Sequence, residues 1–277
     1  SKGAKSIVTI STGIPATVGE LLESFGWTDV LSDMELGGLS ISPDLTTISG
    51  VEVNALSVGA SDVYAYIGVG TPDFTKPLED QTELTGFALE DLDIGMSFFK
   101  STLPIPALPK FTAVKASVGR VGLVGMGDII NIFAEDIELV INRGTKWFGV
   151  IGPPAIDFAA SFPGDAETPV GYPVETGGDP IFLDFAGENL LGLDIGKAVI
   201  QISEFLHLQG SFSYAKGETF TVSVDPGGLG GIAEALGVDF GPDGNFDVEV
   251  EAVRFGGSNL TGFVGINGPY RYGDDSD

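Results

Sequence analysis

The chain has 277 residues, 39 acidic against 13 basic side chains, a net charge of −26, one histidine and no cysteine. Its 43% hydrophobic content is too high for a disordered chain. The lack of cysteine excludes disulfides, zinc–thiolate sites and a thiol nucleophile. The acidic balance excludes a typical nucleic-acid surface, which depends on Lys and Arg.

The first seventy residues predict three strands and one short helix. Apolar residues alternate at period two over residues 6–10, 51–58 and 63–69, which is typical of β-strands. Residues 19–25 have helical spacing, but over barely two turns. Strands therefore dominate this part of the chain.

Strand patterns also dominate the remainder of the chain. Predicted strands cover residues 92–99, 113–124, 129–142, 156–162 and 248–255. Residues 181–224 alternate most clearly, and four glycines interrupt them as predicted turns or bulges: Gly187, Gly196, Gly210 and Gly217. The one other helical segment is 231–236, which is again very short.

Consecutive short strands without intervening helices predict an all-β fold. The apolar pairs and the Gly or Asn corners favour an elongated, curled antiparallel sheet or a β-solenoid-like repeat module with one or two very short helices. A β-sandwich is the alternative. The longest uncharged segment, 255–270, falls short of the ~20 apolar residues of a membrane helix, so we expect no membrane span.

The chain contains an internal repeat, with one copy near its start and one near its end. Residues 51–61 recur as 248–258 with an offset of 197, and residues 66–69 recur as 263–266 with the same offset. Two further blocks recur at offsets of 211 and 214, namely 19–26 as 230–237 and 8–10 as 222–224. We therefore interpret residues 1–70 as the C-terminal part of one repeat unit. Residues 71–277 contain the remainder of the unit and a second copy of the 1–70 segment, at about 215–267, and end in an acidic linker.

Three motifs bear on enzymatic chemistry. Residues 228–233 formally match a dinucleotide fingerprint, but the helix predicted after them ends at Gly237, too early for a Rossmann unit. His207 has no nucleophile or oxyanion motif beside it, so we expect an exposed or hydrogen-bonded strand histidine. Acidic residues around Glu90 and Glu135 resemble hydrolase carboxylate pairs, but their alternation favours a solvated outer face.

Calcium is the predicted cofactor, because oxygen ligands are abundant and a divalent cation would offset the negative charge. One set of candidate ligands, Asp243, Asn245 and Asp247, begins like an EF-hand loop. The sequence departs from that loop where Val248 replaces Gly and where Arg254 replaces the bidentate Glu. A second set of candidate ligands lies in the acidic terminus: Asp274, Asp275 and Asp277.

Three segments with strand-and-glycine motifs, 84–95, 114–125 and 205–217, resemble the long tandem-repeat modules of very large bacterial surface or secreted adhesin-like proteins. The resemblance covers most of the chain and implies an extracellular structural role. It transfers no catalytic residue. The Gly/Asp nonapeptide calcium repeats that such proteins often carry are absent from this sequence.

These features predict a non-enzymatic structural or adhesive module outside the cell or on its surface. Its expected partners are copies of itself or adjacent repeats, which would stack end to end into a filament by completing each other's β-sheets, stiffened by calcium. One alternative is a β groove for lipid or another hydrophobic ligand. A second is a glycan-binding module, which requires exposed Trp27, Trp147 or Tyr172 beside carboxylates.

Overall fold

The fold is a large antiparallel β-sheet, seen in a computed structural model of the chain. The structure describes residues 2–14, 39–42, 46–102, 109–127, 129–146, 153–224 and 246–266; residues 2–4, 218–221, 224 and 246–249 are described by their backbone alone. The predicted all-β class is confirmed. In chain order the elements are β1 (Lys2–Ser11), β2 (Ser40–Ile41), β3 (Thr47–Val69), β4 (Thr85–Ser101), β5 (Lys110–Val124), β6 (Ile130–Gly144), β7 (Ala155–Asp157), α1 (Phe158–Ser161), β8 (Tyr172–Val174), β9 (Ile181–Leu183), β10 (Leu190–Ile202), β11 (Leu206–Val224) and β12 (Phe246–Val264).

In the described part of the chain, the large sheet has ten strands, with β12 and β7 as its edge strands. Its order is β12-β11-β10-β6-β5-β4-β3-β1-β7, with β2 added beside β3. From β3 to β12 each long strand pairs antiparallel with the next long strand in the sequence, so this part is a meander. The large antiparallel sheet agrees with the predicted elongated sheet, and among the described residues the small β8-β9 hairpin forms a second sheet.

The main hydrophobic core lies between β1, β3, β4 and β5 on one side and the segment carrying β7, α1, β8 and β9 on the other. Aromatic rings meet edge to face here, with the Phe99 ring 5.5 Å from Phe158 and 5.3 Å from Tyr172. Asn142 of β6 connects this segment to the sheet by two hydrogen bonds. Its Nδ2 donates to the carbonyl oxygens of Ile156 at 2.9 Å and Glu188 at 3.0 Å. The segment thus reaches β1, where β7 forms the far edge of the sheet.

A smaller core forms where the connection between β3 and β4 folds over the sheet. Leu78 and Leu84 of this connection pack on Ala88 and Val124, with Tyr66 beside them. This connection covers the half of β3, β4 and β5 that lies away from the main core.

Two predicted strands differ from the structure. The segment 156–162 is a strand only up to Asp157; its carboxylate Oδ1 then accepts a hydrogen bond from the Ala160 N–H at 2.8 Å and caps α1. Burial of Phe158 in the main core favours this helical turn over a continued strand. The segments 51–58 and 63–69 are one strand, β3, because the polar residues between them form an irregularity in the ladder and do not end the strand.

A row of backbone irregularities crosses the sheet. Asp62, Asp91, Asp136 and Asn259 lie in the middle of long strands with φ of 53°, 58°, 53° and 52°. Small residues oppose them: a Cβ on Gly119 would lie 3.1 Å from the Asp91 Cβ, and a Cβ on Gly196 would lie 2.8 Å from the Asp136 Cβ.

The glycines predicted to mark turns or bulges in residues 181–224 are confirmed in that role. Ladder shifts occur next to Gly196, Gly210 and Gly217, and Gly187 has a φ of 91°.

Candidate functional site

The β1-β3 strand pair and the β11-β12 strand pair have similar sequences and similar pairing. At one end Val8 of β1 pairs with Val51 of β3, and at the other Val222 of β11 pairs with Val248 of β12. These residues are related by the sequence offsets of 214 and 197. The two copies share their strand pairing from Lys2 to Val8 and from Lys216 to Val222, whereas beyond Val8 the first copy has a register shift that the second copy lacks.

The resemblance extends to a bulge and to a backbone conformation. Lys2 pairs with Leu56 just before a register shift, and Lys216 pairs with Val253 just before another. Each lysine is followed by a glycine, Gly3 or Gly217. In the second strand of each pair, the residue of positive φ also occurs at the offset of 197, as Asp62 in β3 and as Asn259 in β12.

The two copies differ in the strands that pair with them. β3 pairs with β4 from Val53 to Val69, whereas β12 has only β11 as a neighbour among the described residues. About half of the backbone N–H and C=O groups of this 19-residue strand therefore point to an open edge. This edge, from Val250 to Ile266, is the first candidate site, and we call it the β12 edge.

Large apolar side chains follow the same pattern on both strands. Four residues of β3 and its end correspond, at the offset of 197, to four on β12 and its end, and all eight are between 51% and 82% exposed. The pairs are Leu56 and Val253, Val58 and Phe255, Ile67 and Val264, and Val69 and Ile266. Both strands thus have exposed apolar side chains at equivalent positions.

The second candidate site is a cleft of about 480 Å³ beside the row of irregularities. Strand register places Glu90, Arg120 and Glu135 side by side on β4, β5 and β6. The Arg120 guanidinium forms an ion pair with Glu135 and lies 4.1 Å from the centre of the Phe133 ring. Lys197 of β10 completes the row, with its Nζ 3.0 Å from Glu135.

Glu90 is the buried acid of this cleft. Its Oε2 accepts a hydrogen bond from the Leu78 N–H at 3.1 Å, and its buried Oε1 has no hydrogen-bond partner in the described part of the chain. Burial raises the pKa of Glu90; the nearby Glu79 carboxylate raises it further, while the Leu78 N–H and Arg120 oppose the rise. The protonated form of Glu90 is therefore favoured over that of a solvent-exposed glutamate.

The cleft brings together residues that are far apart in the sequence. Glu90 and Glu135 were predicted to lie on a solvated face, yet Glu90 is only 9% exposed, so that prediction is wrong for it. Arg120 and Lys197 were missed, because only long-range strand register brings them beside the acids.

Of the other predicted site residues, some lie in the described part of the chain and some lie outside it. His207 is buried, and its Nε2 lies 3.1 Å from the Gln209 amide oxygen, in agreement with a hydrogen-bonded strand histidine. Tyr172 is half-buried and packs edge to face against Phe99 and Phe162. Several predictions lie outside the described residues: Asp243, Asn245, Asp274, Asp275, Asp277, Trp27, Trp147, the glycine motif at 228–233 and the helices at 19–25 and 231–236. Asp247 lies in β12, where only the backbone is described.

The described residues contain no group of three or more His, Cys, Asp or Glu side chains arranged to hold a metal ion. In the same part of the chain, no helix has the length and apolar character needed to cross a membrane. Comparison with protein-family models, curated proteins and solved structures finds no match to this chain.

Proposed function

We propose that the chain is a non-enzymatic structural module of a tandem array, in which successive units continue one antiparallel sheet. One observation carries the proposal: the β1-β3 pair at one end and the β11-β12 pair at the other share sequence, register and a residue of positive φ. Because the last strand pair of the unit resembles the first, a following unit can pair with it in the same arrangement.

Sheet continuation also explains the open β12 edge. Long, unprotected edge strands promote uncontrolled pairing with other chains, so an edge of this length favours a defined partner. The acidic composition and the lack of cysteine support a place outside the cell or on its surface, where the −26 net charge would keep long arrays soluble. Calcium bound to the acidic segments predicted from the sequence remains part of this proposal.

The proposal is tested with an extended chain in which residues 70–277 follow directly after Ile266. Ile266 corresponds to Val69 at the offset of 197, so the junction keeps the repeat intact. We expect one continuous sheet with six additional strands, which lengthens the particle by up to ~29 Å at about 4.8 Å per strand. Small-angle X-ray scattering measures the change in length.

The matched control consists of two complete copies joined by a Gly/Ser linker, where each copy keeps its own β1-β3 pair. Such a linker leaves the copies free to move, so scattering should show two loosely connected particles. If the extended chain behaves like this control, or if its added segment stays unfolded by calorimetry, the tandem array is wrong.

A further inference from the structure

We infer that the β12 edge binds strand β4 of the next unit, in the register that β3 and β4 already show within this chain. The inference rests on the proposed tandem array and adds the identity of the partner strand and its alignment. Transferring the β3-β4 pairs by 197 residues places Phe255 opposite Met96, Leu260 opposite Leu92 and Val264 opposite Phe87 of the next unit. Each of these three pairs is apolar.

Two glycines of β12 support this register. Gly59 and Gly68 of β3 correspond to Gly256 and Gly265 at the same offset. In β3 both are sterically required: a Cβ on Gly68 would overlap the Thr85 carbonyl oxygen and lie 2.7 Å from the Gly86 Cα. A Cβ on Gly59 would overlap the Glu175 carbonyl oxygen, which follows β8.

In β12 the same glycines have no such requirement. The atoms nearest to a Cβ on Gly265 would be those of the Phe263 ring of its own strand, the nearest at 2.8 Å. A Cβ on Gly256 would meet only the Ser213 hydroxyl, at 2.8 Å. Both contacts are with the ends of side chains that can move. The absence of side chains at these positions is explained when Gly86 of an incoming β4 and the β8 segment of the same unit lie against β12.

Charge agrees with the register as well. Asn54 of β3 pairs with Lys100 of β4. The residue at the Asn54 position in β12 is Glu251, so Lys100 of the incoming strand would lie opposite a carboxylate. Opposite charges directly across a strand pair are favourable.

The test uses the full chain and a synthetic peptide of residues 85–101, with a scrambled peptide as control. We expect the peptide to bind the wild-type chain and to bind the Gly265→Val variant at least about tenfold more weakly. The matched control is Gly127→Val, because a Cβ on Gly127 meets nothing within 4 Å; its affinity should equal that of the wild type. Both variants should melt like the wild type, whereas Gly68→Val should lower the melting temperature.

Cysteine trapping tests the alignment, since the chain has no cysteine of its own. The Phe255→Cys variant should form a disulfide fastest with a peptide carrying Cys in place of Met96. Peptides with Cys in place of Ile94 or Phe98 should react about tenfold more slowly, because a two-residue shift moves the Cα atoms beyond disulfide reach.

The outcomes separate this inference from the proposed function. Absent peptide binding, equal binding by Gly265→Val, or fastest trapping at position 94 or 98 overturns the β4 assignment. If the extended chain still forms one continuous particle in that case, the tandem array holds with a different junction. If the extended chain fails while the peptide binds as expected, the array is wrong, and the β12 edge is a binding site for the β4 sequence alone.

Discussion

At the scale of single residues, Glu90 links the protonation state of the chain to its stability. Its carboxyl group accepts a hydrogen bond from the Leu78 N–H, and this bond connects the β3-β4 connection to strand β4. Because the pKa of Glu90 is raised in the folded state, Glu90 binds more protons in the folded chain than in the unfolded chain above about pH 4.5. The free energy of unfolding should therefore fall as the pH rises through the folded-state pKa of Glu90.

We predict that Glu90→Gln removes this loss of stability. The amide oxygen of glutamine still accepts from the Leu78 N–H, and the uncharged side chain avoids the cost of burying a carboxylate near Glu79. Urea unfolding between about pH 4.5 and pH 8 should show a flatter profile, with a gain of about 1 kcal/mol at the upper end. The exposed Glu83→Gln serves as the control, and an equal gain in both variants would attribute the effect to net charge.

At the scale of elements, the residues of positive φ interrupt the long strands without ending them. β-strands are commonly about five or six residues, whereas β3 has 23 residues and β12 has 19. A residue such as Asp136 adds a local irregularity, and Gly196 opposite it leaves room for the displaced backbone.

Asp136 provides the test of this role. In the left-handed region a β-branched side chain is strained, so Asp136→Val should destabilise the chain by about 1–3 kcal/mol. Asp136→Gly should stay within about 1 kcal/mol of the wild type, because glycine accepts positive φ. Asp194→Val is the control from the neighbouring strand, an exposed position without positive φ that should change stability by no more than about 0.5 kcal/mol. Equal losses at 136 and 194 in chemical denaturation would contradict the backbone explanation.

The elements also show how far the sequence could predict this fold. Alternating apolar residues identified the long strands, and glycines such as Gly196 and Gly217 identified their irregularities, since both patterns are local. The residues of positive φ were missed, because Asp62 and Asp136 resemble ordinary polar strand residues. The position of β7 beside β1 was missed as well, because packing of Phe158 in a distant core decides it.

The candidate sites differ in the same way. The β12 edge follows from the repeat between residues 51–61 and 248–258, which is visible in the sequence, although its pairing register is not. The cleft around Glu90 and Arg120 depends on the alignment of three strands. No local pattern encodes that alignment.

At the scale of the whole molecule, the net charge of −26 sets a general repulsion against the packing of the sheet. Three of the six described ion pairs join two exposed side chains, as for Lys5 with Glu52 and Lys115 with Asp184, and such pairs contribute little to stability. A surplus of acids over bases also leaves most carboxylates without a basic partner. Screening of this repulsion should therefore stabilise the folded chain.

We predict that the melting temperature rises with NaCl between about 10 mM and 150 mM, as the Debye length falls from ~30 Å to ~8 Å. Each kcal/mol gained should appear as about 2–4 °C for a chain of this size. CaCl₂ and MgCl₂ at matched ionic strength separate screening from binding. A larger rise in CaCl₂, lost when Asp243 and Asp247 are changed to Asn, would support the calcium ligands predicted from the sequence. A melting temperature that does not depend on NaCl would show that repulsion among the acids does not limit the stability of the folded chain.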